Sequence, residues 1–204
     1  MALPIAHAAA GYLVHRAARR VPSRDRSSAG AWRRAVSFMV IGNLPDCDFL
    51  IGFVVGRPGL VHRGVSHTIL AAVIFGALAG IVARSLRGKR FLPTALAFAV
   101  AYGSHLLLDW LTIDSRPPEG AQFLWPFSDA YYIAPVAIFR EIHIDGLTRA
   151  GFLGSLLGWP TVLVLAREAA LVVGAVAVWC AVEIACARVA APALRLKASP
   201  EDGA

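Results

Sequence analysis

Residues 91–113 read FLPTALAFAVAYGSHLLLDWLTI, twenty-three positions with one formal charge, Asp109. As a helix rising about 1.5 Å per residue, such a run covers the ~30 Å hydrocarbon layer of a bilayer. Just upstream, residues 68–83 (TILAAVIFGALAGIVA) carry no charge at all. Between the two lies a short basic stretch with Arg84, Arg87, Lys89 and Arg90. This pair of apolar runs around a basic turn predicts two membrane-spanning helices.

The rest of the chain follows the same pattern. Residues 2–20 predict an alanine-rich helix with arginines at its C-terminal end, where they suit the helix dipole. Val36 to Val55 is apolar but interrupted by Asn43-Leu44-Pro45-Asp46-Cys47-Asp48, which predicts a helix ending near Gly42 and then a turn. Two further runs, 150–166 and 169–187, are separated by Arg167-Glu168. The expected fold is therefore all-α, a polytopic membrane protein with a bundle of four to six helices. A polar loop at 114–149, marked by Pro117, Pro118, Pro126 and Pro135, caps it. One domain spans 1–190, with a basic loop at 22–31, and 191–204 is a polar tail.

Composition supports this reading. Of 204 residues 57% are apolar and 16% charged, against roughly 25% charged in soluble domains. The mean hydropathy is +0.62. A soluble fold of this size has too little interior to hide that much apolar surface.

The net charge of +7 first suggests nucleic acid, but the charges are segregated. Residues 1–34 hold seven arginines and one acid, Asp25, and residues 84–90 hold four bases and no acid. Everything else sums to −3. Two basic clusters beside apolar runs are the signature of cytoplasmic loops, which disfavours a nucleic-acid partner. The N-terminus does not read as a signal peptide, because its basic residues follow the apolar stretch. Cys47, Cys180 and Cys186 have no zinc-ribbon or redox spacing.

Ionisable groups within apolar helices are costly and mark function by default. His105 and Asp109 are four apart and share one helix face, so they suit either one metal ion or a buried hydrogen bond. His62 and His67 flank Arg63-Gly64-Val65-Ser66 at the mouth of the 68–83 helix. They are candidate ligands or part of a polar surface loop. Arg63 has the planar fork to steady phosphoryl oxygens. Asp46 and Asp48 follow Pro45: one is expected to face the site, and the other to bridge metals or orient a ligand. His7, with only apolar neighbours, is a better ligand candidate than His15.

Taking both basic clusters as one side of the membrane puts all four groups at one depth. Their separations from Arg19, Arg34, Arg84 and Arg90 correspond to about 18–25 Å of helical rise. The shared face is opposite the basic clusters, hence extracytoplasmic by the positive-inside rule. Several carboxylates in an apolar place require cations. Two or three divalent metals satisfy that, and such sites activate water for in-line displacement at phosphorus.

At this point the motifs resemble a known family. His7, Leu44-Pro45-Asp46-Cys47-Asp48, His62-Arg63-Gly64-Val65-Ser66-His67, His105-Leu106-Leu107-Leu108-Asp109 and Leu124-Trp125-Pro126-Phe127-Ser128 are similar to the YdjM-like family of membrane-bound metal-dependent hydrolases. That family is grouped with the zinc-dependent phospholipases C and the single-strand-specific zinc nucleases. The resemblance implies metal ligands at His105 and Asp109, then at His7, at Asp46 or Asp48, and at His62 or His67. Glu141, His143 and Glu168 are the downstream candidates, without a matching motif.

The resulting expectation is a zinc-type phosphoester hydrolase of the inner membrane acting on a phospholipid or lipid-linked phosphate. Asp46, Asp48 and Arg63 would serve the reaction, and membrane lipid is the expected partner. The alternative is a non-catalytic scaffold or metal-handling protein with the same ligands. A membrane metalloprotease is disfavoured, since Glu141-Ile142-His143-Ile144-Asp145 lacks the H-E-x-x-H spacing.

Three further points concern the periphery. Trp125-Pro126-Phe127 and Tyr131-Tyr132 read as an interfacial aromatic belt or as the wall of a lipid entrance. Glu183 is expected to pair with Arg188. Lastly, 150–166 and 169–187 taken as two full spans would put Arg188, Arg195 and Lys197 on the wrong side. One of the two is then re-entrant or interfacial, with Trp159-Pro160 as the break.

Overall fold

A computed structural model describes residues 4–18, 28–57, 62–115, 119–142 and 147–198; the side chains of 187–198 lie outside the description. The described residues form seven α-helices: α1 (Pro4–Ala18), α2 (Ser28–Gly42), α3 (Asp48–Val54), α4 (Ile69–Arg87), α5 (Phe91–Trp110), α6 (Arg149–Leu156) and α7 (Trp159–Ala198). Short 3-10 turns cover Leu44–Cys47 and Val65–His67. Three helices are long and apolar enough to cross a membrane: α4, α5 and Trp159–Cys186 of α7. A fourth crossing exists if Ala29–Gly42 and Leu44–Val54, bent by 62°, count as one broken span. Pro45 and the 3-10 turn supply the bend.

Small residues set the helix spacing. A Cβ on Gly76 of α4 would run into the backbone of α5 at Ala95 and Ala99, and one on Gly80 into Ala95 and Phe91. Gly76 and Gly80 are four apart, the spacing that lets membrane helices approach backbone to backbone. The same holds where α1 crosses α2, since Gly42 leaves no room for a Cβ beside the His7 carbonyl.

The ends of α4 are set locally. Thr68 caps its N-terminus by accepting from the Ala71 N–H at 3.0 Å. At the other end Gly88 takes the left-handed conformation, φ 59°, and turns the chain into the basic connection to α5.

The C-terminal third corrects the expected break at Arg167-Glu168. Helix α7 runs uninterrupted through both residues, and the break lies at Leu157-Gly158, just ahead of Trp159-Pro160. Charges end a hydropathy run, but glycine and proline end a helix. The eight-residue α6 rises only about 12 Å, too little to span. Helix α7 lies parallel to α1: the Ala6 N–H donates to Glu168 Oε1 at 3.0 Å, and ten residues further along α1, Arg16 pairs with Glu183. Thus α7 returns to the side of Arg84–Arg90, and the conflict over Arg188, Arg195 and Lys197 disappears. Glu183 meets Arg16 where Arg188 was expected; the Arg188 side chain lies outside the described residues. The helix also carries on to Ala198, into the stretch 191–204 read as a polar tail. Of the expected basic loop 22–31, residues 22–27 lie outside the described residues, and α2 has begun by Ser28.

The polar segment 114–149 is irregular where described, with isolated bridges Thr112–Phe139 and Ala121–Tyr132. It is anchored by buried Ile142, which packs on Phe49, Phe152 and Val164. Arg149 donates from Nε and Nη2 to the carbonyls of Phe53 and Val54, tying α6 to the end of α3. The outer faces of α4, α5 and α7 expose large aliphatic side chains such as Leu78, Leu96 and Val173. The most deeply buried side chains include His7, His67, His105 and Glu168. Among the described residues the interior mixes polar with apolar side chains while the exterior is strongly apolar, the arrangement lipid demands.

Candidate metal centre

Five segments deliver the site. Helix α1 brings His7, the turn after α2 brings Asp46, and Asp48 opens α3. The 62–67 loop brings His62 and His67, and α5 brings His105 and Asp109 one turn apart. All seven predicted ligands come together in one cluster. Six of them fall into two groups, His7/His105/Asp109 and Asp46/His62/His67, each offering three ligating atoms within 4.8 Å of one another, and the seventh, Asp48, belongs to neither. The groups adjoin: His105 Nε2 lies 3.1 Å from His67 Nε2 and 3.4 Å from Asp46 Oδ1, and His67 Nε2 lies 3.6 Å from Asp109 Oδ2. The His7 and His105 rings stack at 3.7 Å between centroids.

Several contacts orient the imidazoles. His105 Nδ1 donates to the Gly42 carbonyl at 2.9 Å, since a carbonyl has no proton to give. That leaves its Nε2 lone pair turned to the cluster. Asp48 lies along the Nδ1 edges of both loop histidines, 3.0 Å from His62 and 3.3 Å from His67, and accepts from Ser66 Oγ at 2.8 Å. It therefore sets the tautomer of each ring, as carboxylates behind metal-binding histidines do. Burial holds the His62 imidazole below its ordinary pKa, against the pull of Asp48. For His67 burial also lowers the value, but Asp46 and Asp48 overcome it and raise it.

The fit to a cation rests on what this cluster lacks. Both carboxylate oxygens of Asp46 and of Asp109, both ring nitrogens of His7 and Nε2 of His62 are buried with no hydrogen-bond partner. Buried polar atoms are nearly always satisfied, and a bare buried carboxylate is the most costly exception. Two Nε2 atoms facing each other, each ring anchored at Nδ1, also repel unless a proton or a metal lies between them. These donors suit a borderline divalent metal such as zinc.

Arg63 is engaged by the cap. Its backbone is left-handed, φ 63°, and its guanidinium pairs with Asp114, whose Oδ2 also accepts from the Gly120 N–H. It ties the 62–67 loop to the polar cap. His15 is buried against Phe38 in the α1–α2 packing, in the last turn of α1. Glu141 accepts from Ser115 on the exposed cap, and His143 lies outside the described residues.

Residues missed from sequence include Ser66, Tyr102 and Asp114. The Tyr102 hydroxyl donates to the Ser66 carbonyl at 2.7 Å and pins the histidine loop. Tyr102 is three residues before His105, on the same helix face, which was a legible signal. Asp114 had none.

A profile of the YdjM inner membrane protein family matches residues 1–191. The chain belongs to the YdjM inner membrane protein family. It is also similar to the inner membrane protein YbcI of Escherichia coli K12, with 29% identity over 105 residues. That match covers 50% of this chain and 58% of the relative. No solved structure matches it. The family places the protein in the inner membrane, in keeping with the three span-length helices. It carries the His/Asp cluster as a possible metal site.

Proposed function

We propose that this protein is a membrane-bound, metal-dependent hydrolase of phosphoesters, with a phospholipid or lipid-linked phosphate as substrate. The observation that carries the reading is the pair of carboxylates, Asp46 and Asp109, whose buried oxygens make no hydrogen bond although each sits among histidines at 3.4 to 3.7 Å. His7, His105 and Asp109 would hold one divalent ion, and Asp46, His62 and His67 a second, with zinc the best match to the donors. Such ions supply an activated water at neutral pH and clamp the oxygens of an in-line displacement. Asp48 holds His62 and His67 in the tautomer that leaves Nε2 free to ligate, and accepts the Ser66 proton. Among the described residues each group offers three side chains, the donor number of catalytic zinc sites, where structural sites use four.

The site sits at the end of α5 opposite the basic Arg84–Arg90 turn. By the positive-inside rule it faces the extracytoplasmic side. Exposed Leu124, Trp125 and Phe127 on the cap supply an apolar surface at the same end, suited to a lipid substrate.

The test is metal analysis of the purified protein with hydrolysis assays on phospholipids and aryl phosphodiesters. Expected are bound zinc, hydrolysis, and loss of both on His105→Ala with Asp109→Ala. No metal in the wild type would overturn the reading; metal without hydrolysis of any phosphoester would replace it with a metal-handling role.

A further inference from the structure

Glu168 is an acid in the middle of an apolar helix, 2% exposed, and none of the roles above uses it. Its Oε1 accepts from the N–H of Ala6 at 3.0 Å. Ala6 is the third residue of α1, and the first four N–H groups of any helix lack intrahelical partners. Pro4, at the first position, has no N–H to satisfy. Leu3 precedes the helix and has no side-chain acceptor. In lipid an unmet N–H costs several kcal/mol. Helix α7 thus provides, from 162 residues away, the capping carboxylate that α1 lacks.

The next residue along α1 is His7, wholly buried against His105 and Asp109. Neither ring nitrogen of His7 has a hydrogen-bond partner. His105 is held by the Gly42 carbonyl, and His62 and His67 by Asp48. His7 has neither: its ring meets only other cluster members, the Asp109 carboxylate 3.7 Å from Nε2 and the stacked His105 ring, so its place depends on the backbone that carries it. We infer that Glu168 is the positioning residue for His7: it fixes the first turn of α1, and thereby the His7 side of the cluster. This rests on the metal-centre reading above.

Two measurements on the full chain in nanodiscs test it. The first is hydrogen exchange of the 4–10 segment in metal-free protein. Glu168→Ala should speed exchange there, while Glu168→Gln, which keeps an acceptor oxygen, should not. The second is Co2+ titration followed by visible absorption. Glu168→Ala should weaken one of two cobalt sites by about 10- to 100-fold, the usual effect of losing an orienting partner. It should act on the same site that His7→Ala abolishes and leave the other unchanged; Glu168→Gln should match wild type. Glu183→Gln, which loosens the other α1–α7 tie, should leave both sites intact.

Wild-type exchange and cobalt binding in Glu168→Ala would overturn the inference. So would equal damage from Glu183→Gln, because any loosening of α7 would then suffice. Should Glu168→Ala fail to fold, Glu168→Asp, one methylene shorter, is read in the same way. Wild-type behaviour of that variant also overturns the inference. A wild type that takes up no cobalt sinks the metal centre itself, and with it this role for Glu168; the exchange result still reports on the cap alone.

Discussion

Asp46 and Asp48 stand two positions apart on one turn, and their surroundings divide their labour. Asp46 turns both oxygens into the cluster and finds no hydrogen bond there. Asp48 is engaged by Ser66, His62 and His67. Asp46→Asn should therefore abolish metal at the Asp46/His62/His67 group, whereas Asp48→Asn should weaken it by about 10- to 100-fold. Equilibrium dialysis with zinc separates the two, and equal losses would contradict the division. Tyr102→Phe removes one hydrogen bond to the Ser66 carbonyl without changing shape. It should lower stability by about 1 kcal/mol, and more if the carbonyl is left unpaired, read as a drop in thermal midpoint. Of these residues, the ligand types were legible in the sequence, because histidine and aspartate in apolar runs need a reason to be there. Arg63 was not. Its expected phosphoryl role was read from chemistry, but its actual partner, Asp114, is 51 residues away and carries no local signal.

At the scale of elements, α4 and α5 owe their close approach to Gly76 and Gly80. Gly76→Val should push the helices apart and cost about 1–3 kcal/mol or more, since backbone cannot give way as a side chain can. The measurement is thermal unfolding in detergent; an unchanged midpoint would show that the contact is not close in solution. Because α5 carries His105 and Asp109 while α4 begins directly after His67, the same variant should also reduce metal content. Helix existence and span length were legible here from hydropathy alone. In the last third hydropathy alone misled, because Arg167-Glu168 interrupts hydropathy without interrupting the helix, whereas the break beside Trp159-Pro160 was legible from its proline. Glu168 instead turns inward to α1. Gly158 and Pro160, with backbone consequences, mark the break.

For the whole molecule, topology is the quantity at stake. Helices α4 and α5 form an antiparallel pair, α6 does not span, and α7 runs parallel to α1. Reporters inserted at Gly88 and fused after residue 204 should therefore report the same side of the membrane. One inserted in the exposed cap near Phe127 should report the opposite side. A C-terminal reporter agreeing with the cap would require α6 to cross.

By itself the sequence determined the solvent, the helical class, and that the His and Asp residues share one level. Each follows from composition and 1.5 Å of rise per residue, which act along one chain axis. Only the tertiary structure decided which atoms meet: the division into two groups of three, Asp48 behind the histidines, Arg63 on Asp114, and Glu168 on the first turn of α1. Those pairings depend on how each helix is rotated and how closely it crosses its neighbours. That is settled by packing at a few small residues such as Gly42 and Gly76, and no one-dimensional pattern records it.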